Sequence, residues 1–263
     1  MGRSESTRQL RLRRIFITAA AIAALLLGAK PEPARADFKV QMPDAEYGEW
    51  EIEPIGSYGM SGRPDTDNEK SFVTEFGYGV TNFWHTEVEF ETFRPPGPHN
   101  HLTFNQITSE NQFQFTERGE YWLDPGFFIE YGQVLTKGAP NETTFGPILR
   151  KEFFHTVNTV NLFIEKDIGG FASGRPEFTY ALESRLALGT PVEPGIQAYG
   201  TPGAFGHFSP ISEQDHRVGP QLFGEVHELG PGTLKWNGGV LFGLTPAAPR
   251  RTLRWQIEYE LHF

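Results

Sequence analysis

The sequence predicts an all-β fold: an antiparallel up-and-down transmembrane β-barrel of about twelve strands. Three observations predict it. In Thr252–Phe263, Leu253, Trp255, Ile257, Tyr259, Leu261 and Phe263 alternate with Arg254, Gln256, Glu258, Glu260 and His262. Period two over that length makes a strand with one apolar and one polar face. Segments of this kind recur along the chain about twelve times, an even number, as a single-chain barrel requires. The connections between them alternate between long polar stretches and short turns, the asymmetry of a barrel with one loop end and one turn end. No apolar run after Leu27 is long enough for a helix to cross a bilayer, and otherwise only a closed barrel satisfies its backbone in lipid. The 29 Gly and 20 Pro, spread throughout, also argue against long helices.

The N-terminus reads as an export signal. Arg3, Arg8, Arg11, Arg13 and Arg14 precede an apolar run, Ile15–Leu27, of the length of a signal-peptide core. Ala34-Arg35-Ala36 supplies a small-x-small cleavage site, so residues 1–36 are expected to leave and residues 37–263 to form one barrel domain. The formal net charge of −10 then falls to about −15, which makes nucleic acid an unsuitable partner. The absence of cysteine excludes disulfides, Cys-ligated zinc and a thiol nucleophile.

Taken in order, Asp37–Tyr47 has no clear period and is expected on the periplasmic side. Gly48–Met60 sets Trp50, Ile52 and Tyr58 against Glu49, Glu51 and Glu53, and Ser61–Asn68 is a polar loop. Ser71–Val80 alternates Phe72, Thr74, Phe76 and Tyr78 with Val73, Glu75 and Gly77, and Thr81-Asn82 is a tight turn. Trp84–Phe93 opposes Trp84, Val88 and Phe90 to His85, Glu87, Glu89 and Glu91. After the Arg94–His101 loop, Leu102–Phe115 puts Glu110, Gln112 and Gln114 on one side, and Thr116–Gly119 is a short turn. Tyr121–Gln133, Phe145–Phe153 and Thr159–Ile168 follow, separated by a loop at Thr136–Thr143 and a turn at His155–Asn158. Beyond the glycine-rich Gly169–Pro176 come Phe178–Leu188 and the weaker Val192–Gly200. The longest connection, Thr201–Asp215, leads to Arg217–Val226, Leu234–Leu244 and the closing strand.

The signal peptide, the alternation, the loop asymmetry and the aromatic terminus together resemble bacterial outer-membrane β-barrel proteins across the whole chain. The terminal Leu261-His262-Phe263 is similar to the signal that the barrel-assembly machinery reads in that class. The glutamate-rich Glu49–Glu53 and Glu87–Glu91 and the run Phe76-Gly77-Tyr78-Gly79-Val80-Thr81 resemble outer-membrane transporters of the phenol-degradation MetA-pathway type. That resemblance implies uptake of small, aromatic compounds. The class implies outer-membrane lipids, the assembly machinery and small solutes as partners, and the bacterial outer membrane as location.

Chemistry, on this reading, belongs to the face opposite the aromatics. Glu87, Glu89, Glu130, Arg150, Glu183, Arg185, Glu225 and Glu258 are the candidate solute pathway, where opposed charges sort solutes electrostatically without bond making. The same charges could instead form salt bridges that close the lumen of a structural or surface-interaction barrel. Trp50, Trp84, Trp236, Trp255, Tyr259 and Phe263 are expected in the aromatic girdles at the membrane interfaces. His99, His101, His207 and Asp215 are loop residues that could meet around a metal, but two histidines two apart on a loop point to none. No catalytic set, metal or cofactor is assigned.

Overall fold

The computed structural model describes residues 38–262; the leader, its cleavage site and Phe263 lie outside the described residues. Twelve strands form one closed antiparallel barrel in which each pairs with its neighbours in sequence and β1 pairs with β12. They are β1 Glu49–Met60, β2 Lys70–Thr81, β3 Trp84–Arg94, β4 Thr103–Gln114, β5 Asp124–Val134 and β6 Asn141–Phe153. The second half comprises β7 Thr156–Ile168, β8 Glu177–Leu186, β9 Val192–Ala204, β10 Asp215–Leu229, β11 Gly232–Gly243 and β12 Arg251–His262. Closure removes the unpaired edges an open sheet would present. The closing register sets Trp50 opposite Leu261 and Tyr58 opposite Leu253, so the apolar rows of the first and last strands are continuous on the outside.

The outer face is apolar: Phe72, Phe76, Val88, Phe90, Ile129, Phe145, Ile196, Leu222, Phe242, Leu253 and Ile257 are all exposed. A surface of this kind suits lipid and would be untenable over such an area in water. The polar faces of the same strands turn inward, as the alternation predicts.

Several boundaries differ from the sequence reading: β7 begins at Thr156, inside the expected turn, because Thr156 and Val157 pair with Phe153 and Glu152, and β10 runs on to Leu229, which pairs with Gly232. The connection after β4 is not the short turn Thr116–Gly119. It runs over 115–123, because Gly119 takes positive φ and its N–H donates to Asp124 Oδ1, which delays β5 to Asp124. β6 begins at Asn141, inside the segment read as loop, because Thr143 and Thr144 pair with Tyr131 and Glu130. β9 continues to Ala204, so the longest connection is 205–214. In the last two cases the polar residues belong to paired strand and not to a loop.

The inner face is less uniformly polar than expected. Ile55, Val73, Phe128, Ile148 and Leu241 point inward and are almost fully buried. Phe128, Ile148 and Phe163 form one apolar cluster, Ile55 and Val73 another.

Candidate functional site

The segment that the sequence reading placed on the periplasmic side runs through the barrel interior instead. Phe38 lies toward the loop end, packed with Val40 against Ala181, Tyr199 and Leu241. Its carbonyl accepts from Arg254 Nε at 2.6 Å and from the Tyr199 hydroxyl at 2.7 Å, and the Arg217 guanidinium lies 4.7 Å from its ring centroid. Lys39 Nζ meets three glutamates: Glu53 and Glu87, each at 3.0 Å, and Glu75. The Gln41 backbone exchanges hydrogen bonds with the Asn161 amide at 2.7 and 2.8 Å, and Gln41 Nε2 donates to Glu110 Oε2 at 3.1 Å. Lower down, Asp44 accepts from Arg150 at 2.9 and 3.0 Å, and the Tyr47 N–H reaches Asn82 in the turn 82–83. The alternation of Phe38, Val40 and Met42 with Lys39 and Gln41 matches this environment, apolar groups in one cluster and polar groups on the wall. Five residues are too few to show a period.

Two glycines let the segment leave. Gly48, with φ of +83°, turns the chain into β1, a conformation that costs other residues about 1–2 kcal/mol. Gly79 gives the clearance: a Cβ there would lie 1.7 Å from the Glu46 carbonyl oxygen. Gly79→Ala is therefore expected to destabilise the barrel by about 1–3 kcal/mol through overpacking. Urea unfolding in detergent reads this, and an unchanged midpoint would mean that Glu46 moves aside freely.

Beneath the segment lies a cavity of about 340 Å³ whose lining residues come mostly from the turn-end halves of the strands. Its two sides differ in charge. Glu49, Glu51 and Glu53 of β1, Glu87 of β3 and Glu258 and Glu260 of β12 make one wall. Arg150 of β6, Arg185 of β8 and Arg118 of the 115–123 connection line the other. Strands β6–β8 face β12–β2 across a twelve-stranded barrel, so the two walls oppose one another, with Asp44, Glu152 and Glu193 pairing with Arg150, Arg118 and Arg185 on the basic side. Lys235 relieves the acidic wall by pairing with Glu258 at 3.5 Å and with Glu260. His85 Nε2 sits 3.5 Å from both Glu51 and Glu87.

Six of the eight predicted pathway residues line this cavity: Glu87, Arg150, Glu183, Arg185, Glu225 and Glu258. Glu89 and Glu130 point inward but lie off it. Glu89 is buried opposite Glu75 and Thr108, and Glu130 is half-buried opposite Glu110 and Thr144. Lys39, Gln41, Asp44, Arg118 and Gln197 are among the lining residues that the sequence reading missed.

Trp50, Trp84 and Tyr259 lie outside near the turn end: Trp50 against Tyr78 with centroids 4.8 Å apart, Trp84 stacked on Phe113, and the Tyr259 hydroxyl donating to the Leu229 carbonyl. Trp236 and Trp255 lie further along their strands, across Gly224 and Gly56. Asp215 pairs with Arg217 at 2.6 Å, and His99, His101 and His207 join no potential ligand group among the described residues. Carboxylate triads within ligand distance occur elsewhere, among them Glu53–Glu75–Glu87 around Lys39 and Glu75–Glu89–Glu110 beside it.

No family model and no curated protein matches the chain. Solved structures do. LpxR from Salmonella typhimurium aligns with a TM-score of 0.40 at 5% identity over 81% of this chain and 100% of that one. OccD1 (OprD) aligns with a TM-score of 0.39 at 8% identity over 81% of this chain, which spans 65% of its length. The outer membrane protein Omp33 of Acinetobacter baumannii gives 0.37 at 9% identity over 85% of this chain and all of that one. Similarities this low leave the activity to be argued from the chain's own residues.

Proposed function

We propose that this protein sits in the bacterial outer membrane and passes small solutes through a lumen that residues 38–47 close. One observation carries the reading: residues 38–47 lie against a cavity with opposed acidic and basic walls and, apart from their continuation into β1 at Gly48, meet the barrel wall through non-covalent contacts alone. Displacing Phe38–Met42 would join the cavity to the loop end. The field between the walls would then orient dipolar solutes, and the acidic excess would favour cations and neutral molecules. Kinship with the phenol-degradation MetA-pathway type would bring aromatic solutes; this wall favours their neutral forms over phenolates. Outer-membrane lipids would contact the apolar belt, and the assembly machinery would read the closing strand. Cleavage after Ala36 would place the new N-terminus one residue before Phe38, so export processing would free the segment to enter the lumen.

Met42 Sδ lies 3.2 Å from Thr159 Oγ1 of β7, which provides a test in a chain without native cysteine. The double variant Met42→Cys with Thr159→Cys, joined by a short thiol-bridging reagent, is expected to block solute flux into proteoliposomes. The unbridged variant should admit small cations. Equal flux in both would reject gating by this segment. Absence of flux in every form, with the barrel folded, would favour the second reading, a structural or surface-binding barrel.

A further inference from the structure

Six glutamates crowd one inner quadrant of the barrel: Glu53, Glu75, Glu87, Glu89, Glu91 and Glu110, all buried, on β1 to β4. Lys39 engages three of them with its single positive charge. Carboxylates held together away from water resist common ionisation, so such a group demands further cations or protons. Within the quadrant, Glu75, Glu89 and Glu110 each present an oxygen within 4.8 Å of the others. The strand register produces this, since Glu75 pairs with Glu89 across β2–β3 while Glu110 lies one strand further, opposite Glu87.

A second observation is independent of the clustering. Glu75 Oε1 and Glu110 Oε1 are buried without a hydrogen-bond partner, in residues that are 1% and 0% exposed. The other oxygen of each is engaged, Glu75 Oε2 by Lys39 and Glu110 Oε2 by Gln41. Two bare carboxylate oxygens at this depth are costly unless something positive meets them. Lys39 is committed to the neighbouring triad, whose other two members are Glu53 and Glu87.

We propose that Glu75, Glu89 and Glu110 form a binding site for a hard divalent cation, Ca²⁺, inside the wall of β2–β4. The donor set is oxygen alone, which selects Ca²⁺ or its like over softer metals. Ca²⁺ holds carboxylate oxygens at about 2.3–2.6 Å, so two ligands of one ion stand no more than about 5 Å apart, and the three oxygens here lie within 4.8 Å of one another. With Glu75 Oε2 and Glu110 Oε2 engaged by Lys39 and Gln41, at most four carboxylate oxygens face the ion, and water would complete its usual set of about six to eight ligands. The site is independent of whether the lumen opens. It would staple three consecutive strands, and it would fill as the barrel forms because the segment 38–47 covers it afterwards.

The test refolds the full mature chain from urea into detergent with CaCl₂ or with EDTA. Native mass spectrometry and elemental analysis are expected to show one retained Ca²⁺ per chain, and the unfolding temperature should be higher in the calcium preparation. Glu110→Gln should abolish retention and the calcium-dependent shift, while Glu117→Gln, in the exposed 115–123 connection, should preserve both. If Glu110→Gln fails to fold, the calcium dependence of the wild-type unfolding temperature and the retained stoichiometry decide alone. A wild-type chain that refolds without calcium, retains none and shows no shift would overturn the proposal and assign protons to the cluster.

Discussion

A chain lacking residues 38–44, refolded in detergent and inserted in a planar bilayer, is expected to give frequent discrete conductance steps where the full chain is nearly silent. The segment is tied to the wall by buried hydrogen bonds from Arg254, Tyr199 and Asn161 Nδ2 and by the Lys39 ion pairs. Three such bonds at a net of about 1 kcal/mol each would keep the open fraction below roughly 1%. Deletion removes all of them together with the apolar cluster around Phe38 and Val40, so the increase in open probability should be about a hundredfold or more. Open steps should favour cations, because Glu49, Glu51, Glu53, Glu258 and Glu260 remain on one wall. Anion preference would show that Arg150, Arg185 and Arg118 dominate the field. A truncated barrel that keeps its heat-modifiable migration but stays silent would mean that the inward Phe128–Ile148–Phe163 and Ile55–Val73 clusters close the lumen unaided.

The wall was legible in the sequence and the filling was not. Trp255 and Arg254 announce opposite faces of one strand because period two is a local property, and the structure sets Trp255 outside and Arg254 almost fully buried within. What Arg254 touches is a different matter. Its partner is the carbonyl of Phe38, 216 positions away, and no local pattern encodes a contact of that range. The same holds for Gln41 and Asn161, 120 positions apart. Inward apolar residues such as Leu241 and Phe128 were hidden for a related reason. They break the expected polarity of the inner face only because Phe38 or a neighbouring ring is there to cover them. Glu75, Glu89 and Glu110 each read as inward from one strand alone, but their convergence depends on register, and a slip of one residue would send an entire row to the lipid.

Lys39→Met is expected to lower the stability of the barrel by about 3–5 kcal/mol, the cost of removing one partner from a buried ion pair. The side chain is 7% exposed and its ammonium lies among Glu53, Glu75 and Glu87, which are buried more deeply still. Met preserves the length of the aliphatic stem, so lost packing contributes little and the effect isolates the charge. Urea unfolding in detergent micelles at neutral pH measures it. Acidification, which discharges glutamates, should narrow the gap between variant and wild type, because the repulsion left behind is what destabilises the variant. Adding Glu87→Gln to Lys39→Met should recover part of the loss, and the non-additivity of the pair gives the coupling directly. If Lys39→Met unfolds at the wild-type midpoint, the lysine is not what balances these carboxylates. The segment would then be held mainly by Phe38 and Gln41, and Phe38→Ala would be the substitution that loosens it.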